Sequence, residues 1–171
     1  MRIRGEKVEL RPLLQDEAEL VYEWATSSDA TPYWYGEMYG DQIPSREDFF
    51  ADFKPHYFDE SDPEKGRAFA IEIDGNIIGH VHYNNIDRSD NSVELDIMIM
   101  DRENWNRGYG SDALRALSSY LFEHKGIGTC FIEAILKNPR AVRAYQKAGF
   151  RTTKTFERMG GKRIRLERRK P

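Results

Sequence analysis

The chain has 171 residues, of which 39% are hydrophobic, which is typical of one globular domain with a core of its own. A net charge of -3 and a pI near 5.9 exclude strong bulk attraction to nucleic acid or to an anionic membrane, because both require a basic surface. We therefore expect residues 1–171 to form a single domain that acts on a small molecule or a local protein group, with no nucleic acid and no membrane as partner.

The one cysteine and the first residues of the chain limit its chemistry and its location. Cys130 lies in the apolar stretch Thr129–Ile132, so an intrachain disulfide cannot form and a zinc cluster is not expected. No apolar run approaches the length of a membrane-spanning helix, and Met1–Gly5 lacks the apolar middle of a signal peptide. The sequence predicts a cytoplasmic protein with a buried thiol and no bound metal.

The hydrophobic periodicity predicts strands and helices in mixed order. In chain order these are a strand at Val8–Arg11, helices at Gln15–Thr26 and Ser45–Phe53, strands at Ala68–Ile73, Ile77–Tyr83 and Ser92–Met100, a helix at Tyr109–His124, a strand at Cys130–Ile135, a helix at Pro139–Ala148, and strands around Phe150–Thr155 and Arg163–Glu167. Asp74-Gly75-Asn76 joins two of the strands as a hairpin turn. The order predicts an α/β or α+β layer structure.

The segment from Asp29 to Lys65, which we call the acceptor lobe, differs from the rest in composition. Prolines and glycines, including Pro32, Gly36 and Gly40, interrupt it, and we expect an irregular lobe around one helix that Ser45 begins as an N-cap. Its acids greatly outnumber its Lys and Arg residues: they are Asp29, Glu37, Asp41, Glu47, Asp48, Asp52, Asp59, Glu60, Asp62 and Glu64. Such a lobe would attract a polycation, although a solvated acidic loop fits the pattern as well.

A glycine turn, Gly108-Tyr109-Gly110-Ser111, lies between a predicted strand and a predicted helix. The unpaired amides and the dipole of a helix N-terminus favour an anion there, although such a turn can be purely structural. Gly108–Ala113 also fits the dinucleotide fingerprint G-x-G-x-x-G/A, but the short remainder of the chain cannot complete that fold, and no P-loop sequence is present. With a dinucleotide and a P-loop nucleotide disfavoured, coenzyme A is the pyrophosphate-containing ligand that fits this turn.

The glycine turn and a second block, Asn138-Pro139-Arg140-Ala141-Val142-Arg143-Ala144-Tyr145-Gln146-Lys147-Ala148-Gly149-Phe150, together resemble the GNAT (Gcn5-related N-acetyltransferase) superfamily. The resemblance implies a single-domain fold with a mixed central sheet of about six to seven strands and about four flanking helices. It also implies an acetyl-CoA-dependent N-acetyltransferase in which the turn binds the pyrophosphate, Asn138 contacts the pantetheine side and Tyr145 protonates the departing thiolate. Trp105 departs from the family pattern, which has Gln or Arg there.

The resemblance implies a set of residues that contact acetyl-CoA. They are Met98, Met100, Arg107, Gly108, Tyr109, Gly110, Ser111, Asn138, Ala141 and Tyr145. Periodicity agrees for the second block, because its alanines and Tyr145 form one apolar face of a helix, along which a slender pantetheine arm could lie.

The whole chain is most similar, within the superfamily, to aminoglycoside 6'-N-acetyltransferases. The shared features are Tyr22-Glu23-Trp24, the aromatic cluster Pro32-Tyr33-Trp34-Tyr35-Gly36 and Asp96. The resemblance implies an acceptor site at Trp24, Tyr33, Trp34, Tyr35 and Asp96, a small polycationic amine as acceptor and a role in antibiotic resistance. Spermidine and ribosomal-protein N-terminal acetyltransferases share much of the frame, including a Glu at position 94, so these acceptors stay open. Relatives are found as monomers and as homodimers, and either state is compatible with the sequence.

Direct transfer to a primary amine requires a base, because only the free amine attacks a thioester. Glu94 and Asp96 lie two apart on a predicted strand, so their side chains share one face and stand roughly 7 Å apart. The resemblance favours Asp96 as the base, although both acids could simply line a solvated face. His80 and His82 on the neighbouring strand could relay a proton, but ordinary polar-face positions fit them too. The competing function is a non-catalytic CoA-binding or interaction domain.

Overall fold

A computed structural model describes residues 1–35, 42–158 and 161–171. Its strands are β1 (Ile3–Arg4), β2 (Glu9–Pro12), β3 (Gly66–Ile73), β4 (Asn76–Asp87), β5 (Ser92–Ile99), β6 (Thr129–Ile135), β7 (Arg151–Arg158) and β8 (Gly161–Arg169). Its α-helices are α1 (Ala18–Ser27), α2 (Thr31–Tyr35), α3 (Arg46–Asp52), α4 (Tyr109–His124) and α5 (Pro139–Lys147). Gly36, Glu37, Gly40 and Asp41 of the acceptor lobe lie outside the described residues.

The eight described strands form one sheet in the order β1-β2-β3-β4-β5-β6-β8-β7. All neighbours are antiparallel except β5 and β6, which pair in parallel only from Ser92 opposite Thr129 to Glu94 opposite Phe131. Beyond Glu94 the two strands continue without further paired residues between them. The sheet therefore opens between β5 and β6, and this opening positions the site described below.

A hydrophobic core lies on each face of the sheet, because consecutive side chains of a strand point to opposite faces. On one face, Val93 and Leu95 of β5 pack with Leu114 and Leu117 of α4, all completely buried. Full burial of each such side chain contributes about 1.5–3 kcal/mol. On the other face a second cluster joins Met98 and small residues of β3 to the aromatic rings of the acceptor lobe. One face is therefore covered by α4 and the other by the acceptor lobe.

Several predicted elements are confirmed at the level of single residues. The helix predicted at Tyr109–His124 has those bounds. Ser45 is the N-cap of α3, where its side chain accepts the amide of Asp48. Asp74 and Gly75 form the tight turn between β3 and β4 with positive φ angles of 51° and 78°, the left-handed backbone that such hairpins need. The single cysteine, Cys130, is buried in β6, as expected.

The numbers of strands and helices were underestimated. The eighth strand, β1, has only two residues, which is too short to give an alternating pattern. The fifth helix is α2, which lies in the acceptor lobe that the sequence predicted to be irregular apart from one helix. Pro32 was read as a breaker there, but proline is tolerated in the first turn of a helix, since the amide it lacks has no intrahelical acceptor.

Candidate active site

A cavity of about 860 Å³ lies at the opening between β5 and β6. Residues from both faces of β5 line it, with Asp96 and Met98 on one face and Ile97 and Ile99 on the other. The cavity therefore passes between the strands from the α4 side of the sheet to the acceptor-lobe side. One ligand can enter from each side and the two can meet at β5.

The glycine turn forms the α4 side of the cavity. Gly108 is the N-cap of α4 and adopts left-handed backbone with φ 84°, which favours glycine. The turn residues Gly108, Tyr109, Gly110 and Ser111 all line the cavity. The Ser111 hydroxyl is already engaged, because it donates to the Ala144 carbonyl of α5 at 2.8 Å. The first-turn amides of α4 are thus the groups available to an anion on this side.

Helix α5 forms the adjoining wall. Asn138 is its N-cap and accepts the amide of Ala141 at 3.3 Å, and Pro139 occupies the first helical position. Ala141, Ala144 and Tyr145 bring small side chains and one phenol to the cavity. The basic residues that line the cavity on this side are Lys137, Arg140, Arg143 and Lys147. Glycines, small alanines and several cations make this end suited to a slender arm that carries phosphate groups.

Trp105, the departure from the family pattern, forms a stack that links three segments. Its indole nitrogen donates to the Ile99 carbonyl at 2.9 Å, which fixes the ring beside the end of β5. The Arg140 guanidinium lies 3.6 Å from the Trp105 ring centroid and 5.0 Å from that of Tyr33. Tyr33 and Trp105 meet edge to face at 5.6 Å. Cation–π contacts thus join the loop before α4 to α5 and to α2.

Asp96 stands where the cavity crosses the sheet. Its side chain is 38% exposed, faces the cavity, and accepts a hydrogen bond from the Asn84 side-chain amide at 2.7 Å. Although part of the side chain is exposed to the cavity, the surrounding protein limits its hydration, and this desolvation, and then the charge of Glu94, raise the pKa of Asp96 to about 7, while the hydrogen bond from Asn84 opposes the shift. A carboxyl with a pKa near neutrality can both take up and release a proton under ordinary conditions, which suits a general base.

Glu94 lines the cavity on the same face as Asp96, as the two-residue spacing predicted. Burial is the main cause that raises the pKa of Glu94, and the charge of Glu133 on β6 adds to it. Glu133 forms ion pairs with Arg158 at 3.1 Å and with Arg163 at 3.7 Å. Glu133 is thus engaged by two arginines, whereas Asp96 accepts its hydrogen bond from the neutral Asn84 side chain.

Tyr145 lies across the cavity from β5 and is only 9% exposed. Burial raises the pKa of its phenol, and the charge of Asp96 raises it further, against a smaller opposing effect of Arg140. The phenol therefore keeps its proton at neutral pH and can donate it. The Asp96 carboxyl and the Tyr145 phenol thus line the same cavity and lie close enough for their charges to interact.

Asn84 and Tyr57 are site residues that the sequence analysis missed. The Tyr57 hydroxyl donates to the Asn84 side-chain carbonyl oxygen, which turns the Asn84 amide group toward Asp96. Asn84 continues the row of His80 and His82 on β4 and stands opposite Glu94. That alternating polar row was the only sequence signal that could have found Asn84. No sequence signal indicated Tyr57, because it lies in the part of the acceptor lobe that was predicted to be irregular.

His80 and His82 belong to an aromatic cluster. Burial lowers the pKa of His80 to about 4 and that of His82 well below its usual value, so both rings are neutral at pH 7. The two rings stack at 5.5 Å, and Trp34 and Phe53 pack around them. His82 lines the cavity with its Nε2 atom 3.6 Å from an Asp96 oxygen, which is longer than a hydrogen bond.

The structure brings most of the predicted site residues to one cavity. Trp24, Met100 and Arg107 are described but do not line it: Trp24 stacks on His80, the Met100 amide bonds the Ile78 carbonyl, and the Arg107 carbonyl accepts from Lys7. Tyr33, Trp34 and Tyr35 do line it.

Few of the acceptor-lobe acids face this cavity. Among the lobe's described acids, only Asp48 and Asp52 line the cavity. Others pair elsewhere, as Glu64 does with Arg88. The described residues contain no group of three or more His, Cys, Asp or Glu arranged for a metal ion. Nor do they contain a helix long and apolar enough to cross a membrane.

Comparison with known proteins identifies a family and several relatives of this chain. The profile of the acetyltransferase (GNAT) domain family matches residues 7–151. Spermidine N(1)-acetyltransferase of Escherichia coli (strain K12) is 24% identical over 143 residues, which cover 84% of this chain and 72% of that protein. Aminoglycoside N(6')-acetyltransferase type 1 of Klebsiella pneumoniae is 24% identical over 156 residues, which cover 85% of this chain and 75% of that protein.

Solved structures share the fold over nearly the whole chain. The aminoglycoside acetyltransferase AAC(6')-Ib in complex with ribostamycin and coenzyme A superposes with a TM-score of 0.77 at 21% identity, covering 96% of this chain and 94% of that one. Spermidine N-acetyltransferase from Vibrio cholerae in complex with CoA and spermine gives a TM-score of 0.76 at 19% identity, covering 96% of each chain. The mixed sheet and its flanking helices are therefore those of these acetyltransferases.

Proposed function

The chain belongs to the GNAT acetyltransferase family and is an N-acetyltransferase that uses acetyl-CoA, and we propose that it transfers the acetyl group to a primary amine of a small polycation such as an aminoglycoside. The observation that carries this proposal is Asp96, a carboxyl with a pKa of about 7 that is held by Asn84 in the cavity shared with Tyr145. An ammonium group would be attracted to this carboxylate and then lose its proton to it.

The distribution of charge along the cavity supports a cationic acceptor. The carboxylates that line it lie on the acceptor-lobe side of the sheet or on β5 and β6: they are Asp48, Asp52, Glu94, Asp96 and Glu133. Four of the lining cations lie on or next to α5, and two others, Arg158 and Arg163, form ion pairs with Glu133. A ligand with phosphate groups is favoured at the α5 end and a ligand with amino groups at the other end. This arrangement fits acetyl-CoA and a polycationic amine in one cavity.

Aromatic side chains give the acceptor end its walls. The rings that line the cavity there are Tyr33, Trp34, Tyr35, Phe49, Phe53 and Tyr57. Such rings pack against the apolar faces of a sugar or an alkyl chain and attract ammonium groups to their π faces. The cavity volume of about 860 Å³ lies within the range of small-molecule sites and accommodates the end of the pantetheine arm together with part of an acceptor.

The reaction requires proton transfer at the acceptor nitrogen and at the departing sulfur, and the cavity offers a residue for each. Asp96 takes a proton from the acceptor nitrogen, so that its lone pair can form the new C–N bond with the acetyl carbon. Tyr145 donates the phenol proton to the sulfur as the C–S bond breaks, and the acetylated nitrogen, which still carries one proton more than the amide, returns a proton to the phenolate. The products are an N-acetyl amide and the free thiol of coenzyme A. Glu94, with its raised pKa, is the alternative base, but it lacks the hydrogen bond that orients Asp96.

Direct transfer is favoured over an acetyl-enzyme intermediate. A covalent route needs an activated nucleophile at the cavity. Burial raises the pKa of the Cys130 thiol to about 12, and this residue does not line the cavity. The Ser111 hydroxyl does line it but donates its proton to the Ala144 carbonyl. The residues at the site therefore support attack by the amine itself.

A linear polyamine is the second candidate acceptor. Glu94 and Asp96 form a row along β5, so one amino group of an elongated chain could stand at Asp96 and the next at Glu94. An aminoglycoside would instead use the broad aromatic wall of the acceptor lobe. Binding of a polyamine should therefore depend more on Glu94, and binding of an aminoglycoside more on Trp34.

An acceptor panel tests the proposal. Release of CoA thiol is measured with kanamycin, with spermidine and with a peptide that has a free N-terminus, and we expect kcat/KM to be highest for kanamycin. A higher value for spermidine, lost in Glu94→Gln, would establish the second candidate, and a higher value for the peptide would contradict both. Expression in an aminoglycoside-sensitive bacterium should raise the inhibitory concentration of kanamycin if the first proposal is correct.

A matched pair of charge variants tests whether the cavity carboxylates attract the acceptor. Asp52→Asn removes a charge that lines the cavity, and we expect the KM for the acceptor to rise about two- to fivefold, the size of an exposed charge contact. Glu64→Gln removes a charge of the same lobe that pairs with Arg88 instead, and it should leave KM unchanged. Equal effects of the two variants would point to the overall charge of the lobe.

A further inference from the structure

The first turn of α4 is tied to the turn between β1 and β2. The Asp112 side chain is almost completely buried, and its carboxylate accepts the backbone amides of Glu6 at 3.1 Å, Lys7 at 2.7 Å and Val8 at 3.0 Å. An unpaired buried carboxylate would be strongly unfavourable, and hydrogen bonds to a charged acceptor are among the strong ones. Together, three such bonds hold the β1–β2 turn against the start of the helix.

Gly5 is needed for this close approach. A Cβ atom on Gly5 would stand 2.3 Å from an Asp112 carboxylate oxygen, which is well inside van der Waals contact. Any larger residue would push the carboxylate away from the amides that it accepts. The β1–β2 turn is therefore shaped to receive Asp112, although Asp112 lies more than 100 positions further along the chain.

Lys7 extends the contact to the glycine turn itself. Its ammonium group donates to the Arg107 carbonyl at 3.0 Å. A Cβ atom on Gly108 would stand 3.1 Å from the Lys7 Nζ atom, so the positive charge lies directly beside the N-cap of α4. The Lys7 side chain is exposed and does not line the cavity, so it approaches the turn from outside the cavity wall.

We propose that Lys7 and Asp112 are positioning residues for the pyrophosphate of acetyl-CoA. Asp112 fixes the first turn of α4, Lys7 fixes the peptide before Gly108, and the Lys7 charge adds to the positive end of the helix dipole. The free amides of the glycine turn are then held in place before the cofactor arrives, which reduces the ordering cost of binding. The inference rests on the proposed function, and on the placement of the pyrophosphate at this turn that the resemblance to the family implies.

Calorimetric titration with CoA tests the inference without any acceptor, so a wrong acceptor assignment cannot affect the result. At low salt we expect Lys7→Met to weaken CoA binding about two- to fivefold, the effect of one charge at a helix N-terminus. Lys7→Arg should bind CoA as the wild type does. The matched control is Lys125→Met, which removes the same charge at the C-terminal end of α4 and should not weaken binding.

The dependence of CoA affinity on salt distinguishes a positioning role that acts through the Lys7 charge from a purely structural contact. Because salt screens the Lys7 charge, the difference between Lys7→Met and the wild type should shrink at high ionic strength. A difference that is independent of salt and accompanied by a lower melting temperature would overturn the proposal in favour of a structural role. Equal CoA affinity of Lys7→Met and the wild type at low salt would also overturn it.

Gly5→Ala tests the Asp112 contact without changing any charge. The added methyl group should displace the Asp112 carboxylate and weaken CoA binding more than Lys7→Met does, because both the helix start and the Lys7 backbone are then released. Unchanged CoA affinity in a folded Gly5→Ala protein would contradict the role of Asp112. If this variant fails to fold, the Lys7 series decides the proposal.

Discussion

The two ends of the cavity are built from different parts of the polypeptide. At the proposed cofactor end, main-chain amides and small residues such as Gly110 and Ala141 line the cavity, and helix N-termini position them. At the acceptor end, large rings such as Trp34 and the carboxylate of Asp96 face it. Main-chain groups can bind the same cofactor in many sequences, whereas side chains must fit one acceptor. The family is therefore recognised at the first end, and the acceptor is selected at the second.

The ends also differ in their effect on stability. At the cofactor end the polar groups are satisfied, as in the Asn138 cap and the Ser111 hydrogen bond. At the acceptor end, burial disfavours the charged forms of Asp96, His80 and His82, and it raises the pKa of the first while lowering those of the histidines. Above about pH 4 the raised pKa of Asp96 therefore costs stability, which is common where a group must exchange protons.

The largest expected effect is that of Asp96→Asn. Removal of the base should lower turnover about 10²- to 10⁴-fold, the usual contribution of general base catalysis. The pKa of Asp96 is about 7 in the folded protein, and it is about 3.9 in an unfolded chain, so the folded state binds the extra proton between these values. The wild type should thus lose stability as the pH rises from about 4 to about 7.

Asp96→Asn should remove that loss and melt at a higher temperature than the wild type at pH 8, as followed by circular dichroism. Glu94→Gln is the matched control, since it removes the neighbouring carboxylate and leaves the Asn84 hydrogen bond in place. Retained turnover in Asp96→Asn together with its loss in Glu94→Gln would move the role of base to Glu94.

Tyr145→Phe should have the next largest effect. Without the phenol proton the thiolate must leave unassisted, and turnover should fall about 10²-fold or more. The ring itself remains, so the affinity for CoA, measured by calorimetry, should change little. An unchanged turnover, with chemistry shown to be rate-limiting, would contradict the role of Tyr145 as the acid.

Asn84→Leu should shift the pH dependence of the reaction. In the wild type, kcat/KM should rise with pH through about 7 as Asp96 becomes ionised. The hydrogen bond from Asn84 stabilises the ionised form, so its loss should raise the pKa and move this rise to higher pH by about one unit. Tyr57→Phe, which leaves Asn84 in place but frees its side chain, should give a smaller shift in the same direction. A profile that does not move would show that Asn84 does not tune Asp96.

Trp105→Gln should have the smallest effect of the series, and it tests the contact between the two ends. It inserts the residue that the family pattern has at this position and removes the stack with Arg140 and Tyr33. The free energy of unfolding should fall by about 1–2 kcal/mol, in line with a cation–π contact and the loss of apolar packing. The KM for acetyl-CoA and that for the acceptor should both rise, because the stack joins Arg140 of α5 to Tyr33 of the acceptor lobe. An effect on only one KM would show that the ends are independent.

Local patterns predicted several elements closely. The bounds of α4, the Ser45 cap and the Asp74–Gly75 turn each depend on residues within a few positions of one another, so a short stretch of sequence contains all the information needed. The same holds for the spacing of Glu94 and Asp96, which places them on one face of β5. The acceptor lobe was predicted less well, because the second residue of α2 is a proline, Pro32, which is also compatible with a break.

The sequence by itself thus determined the family, the cofactor and the residues of the glycine turn, since these follow from motifs that are continuous along the chain. Only the tertiary structure decided how Asp96 is oriented, because Asn84 and Tyr57 come from another strand and from the acceptor lobe. It also decided the stack of Arg140 on Trp105 and the anchoring of Asp112 by the β1–β2 turn. These contacts join residues far apart in the chain, and their geometry exists only once the sheet has opened between β5 and β6 and both of its faces are covered.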